Sequence, residues 1–106
     1  MKTNLLPLML TGLLLGACGS KDRVDEVAAL EGDPANGATV FADNCSGCHG
    51  ADGSGGSGPN LQGEDDREEI IEVVLYGEES MPGFDGDLSD QEIADVADYV
   101  AGGFEG

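Results

Sequence analysis

The run Cys45-Ser46-Gly47-Cys48-His49 constrains this chain more than any other stretch. Two thiols three positions apart, followed at once by an imidazole, place three strongly coordinating groups within one turn of backbone. Whatever they hold becomes the centre about which the chain folds. This is the spacing of a c-type haem attachment site. Each thiol adds across one vinyl group to give a thioether, and the tight turn sets the next side chain under the iron as an axial ligand. Other uses of the same residues are weaker. A structural zinc site wants four nitrogen or sulfur ligands, and Cys45, Cys48 and His49 are three, with no second Cys/His pair in the chain. A thioredoxin-like site wants a βαβ pattern around its cysteines, and none is visible. A plain disulfide stays open for an exported chain.

His49 is the only histidine, and Met81 is the only methionine after residue 17. A thioether opposite an imidazole is the ligand pair that raises a haem's reduction potential. Met81 sits in Ser80-Met81-Pro82-Gly83-Phe84, a Pro/Gly loop and not a helical stripe, and Pro82 stiffens the presentation of its sulfur. From Asp33 to Phe104 the chain resembles a small bacterial class I cytochrome c, monohaem and His/Met ligated. The resemblance implies a small all-α fold of three main helices and loops wrapped around one covalent haem c. It implies that Met-Pro at this distance past the cysteines supplies the second axial ligand. It also implies that Pro59, in Gly58-Pro59-Asn60-Leu61, offers its carbonyl to the Nδ1–H of His49, which orients the ring and raises its basicity. Leu61 then packs on the haem face and Phe84 covers its edge. Gly37 and Phe41 match the positions where the family's first helix meets a C-terminal-helix aromatic, here Tyr99.

The helices are legible from the residues. Asp33 as N-cap and Pro34 at the first helical position start a helix running to about Asn44. Asp66, with Glu69 three residues on, starts a second from about Arg67 to Tyr76, ended by Gly77. Ile70, Ile71, Val73 and Val74 are its apolar face. Ser89 and Glu92 form a capping box for the last helix, where Ile93, Val96, Ala97 and Val100 recur at helical spacing before Gly102-Gly103. No stretch alternates as a strand, so the class is all-α. The segment from Gly50 to Gly58 reads as a flexible loop without the Lys-Ser/Thr of a phosphate-binding loop. Its glycines let backbone lie close to the haem edge.

The N-terminus reads as an export signal. Lys2 is followed by an apolar run from Leu5 to Leu15, too short to span a bilayer but right for a signal core. Leu15-Gly16-Ala17-Cys18 resembles a lipoprotein signal cut before the cysteine, which implies acylation of Cys18. More than one acyl chain anchors a protein stably. The divisions are then 1–17 signal, 18–32 lipidated cysteine and tether, and 33–106 haem domain. In the tether, Val24, Val27, Ala28 and Leu30 suffice for a turn or two of amphipathic helix.

The charge balance is extreme, with 22 Asp and Glu against 4 Lys and Arg. That excludes a nucleic-acid surface and charge-driven docking on anionic lipid. It suits a basic redox partner reached by salt-dependent steering, or simply a well-solvated surface. Arg67, one of few cations, is read as pairing with a nearby Glu in preference to a haem propionate. With 106 residues, 18 glycines and no tryptophan, the protein core is thin, so a covalent haem is the expected staple and the haem-free chain is expected to fold poorly. The expected function is a membrane-anchored, monomeric carrier of single electrons between extracytoplasmic redox proteins, and not an enzyme. The alternatives are an electron-relay subunit of a larger oxidase or reductase, and a haem-based sensor or enzyme if Met81 is labile.

Overall fold

A computed structural model describes residues 19–106. Five helical segments follow one another: α1 (Gly19–Ala28), α2 (Pro34–Asn44), α3 (Ser46–His49), α4 (Arg67–Tyr76) and α5 (Asp90–Ala101). Among the described residues there is no strand, only isolated bridges between Glu78 and Met81 and between Asp85 and Leu88. The signal and Cys18 lie outside the described residues.

The helix starts follow from local chemistry. At α2 the Asp33 carboxylate accepts the N–H of Ala35 at 3.0 Å and Pro34 opens the first turn. At α4 Asp66 accepts from the Glu69 N–H at 3.2 Å. At α5 both halves of the capping box form, Glu92 N–H to Ser89 Oγ at 3.0 Å and Ser89 N–H to Glu92 Oε1 at 2.9 Å. Each such cap satisfies a donor that the first turn leaves unpaired, contributing about 1 kcal/mol.

The main packing is α2 across α5, with α4 laid on α5. The crossing is close because Gly37 has no Cβ: one placed there would collide with the Asp95 carbonyl and stand 2.8 Å from Tyr99 Cβ. Phe41 lies fully buried beside it, its ring 5.8 Å from that of Tyr99. Phe104, from the C-terminal tail, closes the cluster edge-on, 5.3 Å from each of the other two rings. Asp95 sits 3 % exposed at the same crossing. Its carboxylate accepts from the Asp33 N–H at 2.7 Å, Asn36 Nδ2 at 2.7 Å and Gln91 Nε2 at 2.9 Å. Burial alone pushes this carboxyl up, but those three donors outweigh it and hold it below the usual carboxylate range.

Two expectations need correction. The spacing predicts a tether over 18–32, yet the described part, from Gly19, carries helix α1 packed on α4 and α5. Val27 is fully buried, with Val24, Ala28 and Leu30 against the same core. The apolar spacing of this segment is therefore a packing face, and the folded body begins before Asp33. Burying one such valine removes enough apolar surface from water to contribute about 1.5 kcal/mol or more. Arg67 pairs neither with a neighbouring Glu nor across the cleft. It forms an ion pair with Asp98 of α5 and donates to the carbonyls of Ala28 and Leu30, at 2.8 and 2.6 Å. One guanidinium thus joins α4, α5 and the chain leaving α1.

Candidate haem site

The two cysteines straddle a junction between helices. Cys45 ends α2 and opens α3, with its N–H bonded to the Phe41 carbonyl at 2.8 Å. One turn of helix then carries Cys48 and His49 to the same side, and Gly50, in a left-handed φ of 86°, ends it. Cys45 is half-buried and Cys48 exposed, and both are free thiols. Burial, followed by the nearby Cys48, pushes the Cys45 thiol up to about 11.

His49 is 6 % exposed. Its Nδ1 lies 2.9 Å from the Pro59 carbonyl oxygen. A carbonyl can only accept, so Nδ1 carries the proton and Nε2 keeps its lone pair free. Gly58 makes this possible: a Cβ there would stand 3.1 Å from both Nδ1 and Cε1 of the ring. The glycine-rich segment read as flexible is pinned back onto the cysteine turn. Gly55 N–H bonds the His49 carbonyl at 2.7 Å, Gly58 N–H bonds the Cys48 carbonyl at 2.8 Å, and Leu61 N–H bonds the Gly53 carbonyl at 2.7 Å.

Met81 arrives from the other side. After α4, Gly77 turns the chain with φ of 80°, and Glu78 and Met81 close a tight turn through N–H to carbonyl bonds of 3.1 and 2.8 Å. A side chain at Gly77 would strike the Met81 carbonyl. Phe84 and Asp85 then bond back to the Val74 and Leu75 carbonyls at 2.8 and 3.1 Å, tying the loop along the end of α4.

These pieces enclose one cleft of about 610 Å³. Cys45, Cys48, His49, Met81, Pro59, Leu61 and Phe84 all line it, so every residue singled out in the sequence for this site comes together there. Its walls also include Ile70, Val73 and Val74 of α4 and Val96 and Val100 of α5. The crowded apolar face of α4 is thus divided: Ile71 and Leu75 are buried in the protein core, Ile70 and Val73, only partly buried, line the cleft, and Val74 is buried between the two. The sequence does not single out the residues of the rim. Glu64, Glu69, Glu78 and Glu79 are exposed around it, and neither arginine lines it. Nothing in their spacing along the chain marks them as neighbours.

The donor set tests the fit of a c-type haem. Two thiols, one imidazole with a free Nε2 and one thioether share an otherwise largely apolar cleft, where a flat macrocycle would bury its faces. A helical domain built around such a cleft falls in the class of c-type haem proteins. Comparisons with known proteins agree. Residues 32–100 match the family model described as cytochrome c oxidase, cbb3-type, subunit III. Cytochrome c6 of Thermosynechococcus vestitus is 40% identical over 81 residues, covering 69% of this chain and 72% of that protein. Cytochrome c6 of Diacronema lutheri is 38% identical over 80 residues, covering 65% of this chain and 94% of its own. The crystal structure of cytochrome c6 from the diatom Phaeodactylum tricornutum superposes with a TM-score of 0.62 at 38% identity, covering 69% of this chain and 95% of that one. The chain belongs to the cytochrome c family, as a small class I monohaem member. It carries one covalently bound haem c and is an electron carrier, not an enzyme, passing electrons between redox partners.

Proposed function

We propose that Cys45 and Cys48 hold the haem as thioethers, that His49 Nε2 and Met81 Sδ are its axial ligands, and that the protein ferries single electrons outside the cytoplasm from a lipid anchor at Cys18. The observation that carries the ligand assignment is the meeting of the four groups in one cleft, with the His49 Nδ1–H directed to the Pro59 carbonyl. When bound, the haem supplies a reversible one-electron change at iron. The chain supplies the rest. The Pro59 carbonyl fixes the imidazole's tautomer and direction. Leu61, Ile70, Val73 and Phe84 exclude water from the faces. A haem held by both His49 and Met81 would leave no coordination position for a substrate.

The test is an absorption spectrum of the haem-loaded protein, oxidised and reduced, with and without carbon monoxide. Low-spin c-type bands, a far-red methionine–iron band in the oxidised form and little response to carbon monoxide are the expected result. Ready carbon monoxide binding without the far-red band overturns Met81 ligation and brings forward sensing or catalysis.

The anchor reading rests on Leu15-Gly16-Ala17-Cys18; no helix among the described residues is long and apolar enough to cross a membrane. Replacement of Cys18 by Ser should release the protein from membranes, and mass spectrometry of the mature N-terminus should find acyl chains in the wild type only. The acidic rim supports a basic docking face on the partner of a monomeric carrier, so electron transfer should slow as salt rises. A second reading, an electron-relay subunit of an oxidase, is favoured by the description of the matching family model. Co-purification with a membrane oxidase at fixed stoichiometry would select it.

A further inference from the structure

Helix α1 lies before the residues that match the family model, which begin at 32, yet it is docked on the domain. Its Arg23 gathers three carboxylates. Nη1 donates to Glu26 of the same helix at 2.7 Å, both terminal nitrogens reach Asp90 in the first turn of α5 at 2.8 and 3.2 Å, and Nη2 donates to Asp85 at 2.9 Å. Asp85 is four residues past Met81, in the same loop. Beyond Met81, the Phe84 and Asp85 N–H groups already tie this loop to the end of α4, as above. At the loop's tip Glu79 takes a left-handed φ of 53°, which a residue with a side chain disfavours. Arg23 adds a side-chain tie from Asp85 to α1 and α5.

We propose that Arg23 is a positioning residue for Met81: through Asp85 it restrains the loop that presents the thioether to the cleft, so that α1 acts as a clamp on the iron's methionine ligand. This rests on Met81 being that ligand. Each further tie on a loop removes some of its open conformations. Losing the clamp therefore raises the fraction of time in which the sulfur is away from iron and an added ligand can enter.

The experiment uses the full-length oxidised holoprotein, with imidazole as the competing ligand and the far-red methionine–iron band as the signal. Helix unfolding is followed separately by circular dichroism. Arg23→Gln and Asp85→Asn should each lower the apparent Kd for imidazole about three-fold, the scale of a partly exposed ion pair. The double variant should be no worse than either alone. Arg23→Lys should fall between, since an ammonium cannot present the same fork. Asp85→Asn leaves the Arg23–Asp90 bonds in place, so α1 stays docked and unfolding should barely move. Asp87→Asn, which removes the same charge two residues on, should match the wild type. Raising salt should bring the wild type toward Asp85→Asn. If Asp85→Asn binds imidazole like the wild type, or the two single effects add in full, the clamp is refuted while Met81 ligation stands. A wild type without the far-red band overturns the ligand assignment and the clamp together.

Discussion

Replacing Asp95 by Ala probes the α2–α5 crossing on which the site is built. The wild-type carboxylate is 3 % exposed and accepts three hydrogen bonds. Bonds to a charged group contribute about 1.5–3 kcal/mol each. All three bonds are partly buried, and their donors belong to exposed residues, Asp33, Asn36 and Gln91, that can turn in part to water. Setting against the three bonds that recovery of water and the burial cost that the carboxylate no longer bears, the loss comes to about 3 kcal/mol. For a domain of this size that is a fall in Tm of roughly 12–24 °C. The pH dependence gives a second handle. The folded carboxyl is held below its ordinary value, so its stabilisation is fully present above the unfolded pKa of about 3.9 and is lost as pH falls through the folded value. Thermal unfolding of wild-type and Asp95→Ala holoprotein, followed at the helical circular-dichroism signal at pH 7 and in steps to pH 3, should show a large gap that narrows on acidification. A gap of a few degrees at pH 7, or one that stays constant to pH 3, would refute the reasoning.

Three further outcomes are expected. Gly37→Ala should cost about 1–3 kcal/mol, measured as a fall in holoprotein Tm, because the added methyl meets the Asp95 carbonyl and Tyr99 at a helix crossing that has no slack. Arg67→Ala should loosen the end of α1, seen as faster amide hydrogen exchange across residues 27–32, since its guanidinium ties Ala28, Leu30 and Asp98 together. The haem-free chain should show no cooperative thermal transition: Ile70, Val73, Leu61 and Phe84 then face an open cleft, and the aliphatic core is small. A sharp transition in haem-free protein would show that the helices hold each other without the cofactor.

The helix ends and the cysteine turn were readable because their causes are local. Asp33-Pro34, Ser89 with Glu92, and Gly77 act within four residues of themselves, so α2, α4 and α5 begin where their caps predict. The spacing of Cys45, Cys48 and His49 is likewise set by one turn of chain. Gly37, Phe41 and Tyr99 needed a resemblance to bring them together, although once named they meet at the expected crossing.

Arg23, Arg67 and Asp95 could not be read in this way. Arg23 finds partners 62 and 67 positions away, Arg67 reaches back 37 and 39 positions to backbone carbonyls, and Asp95 looks like one more acid on a wet helix face until Asp33 and Asn36 fold over it. Charges carry no periodicity that separates a solvated acid from a buried one; only the packing decides which are desolvated. The same holds for Val24 and Val27, whose short apolar pattern suits a tether or a docked helix equally, and for the ring of Glu64, Glu69, Glu78 and Glu79. By itself the sequence determined the haem-binding turn, the three main helices and the single methionine. The tertiary structure decided which way α4 divides its apolar residues, where the two arginines act and that α1 belongs to the fold, because those outcomes depend on contacts between segments far apart in the chain.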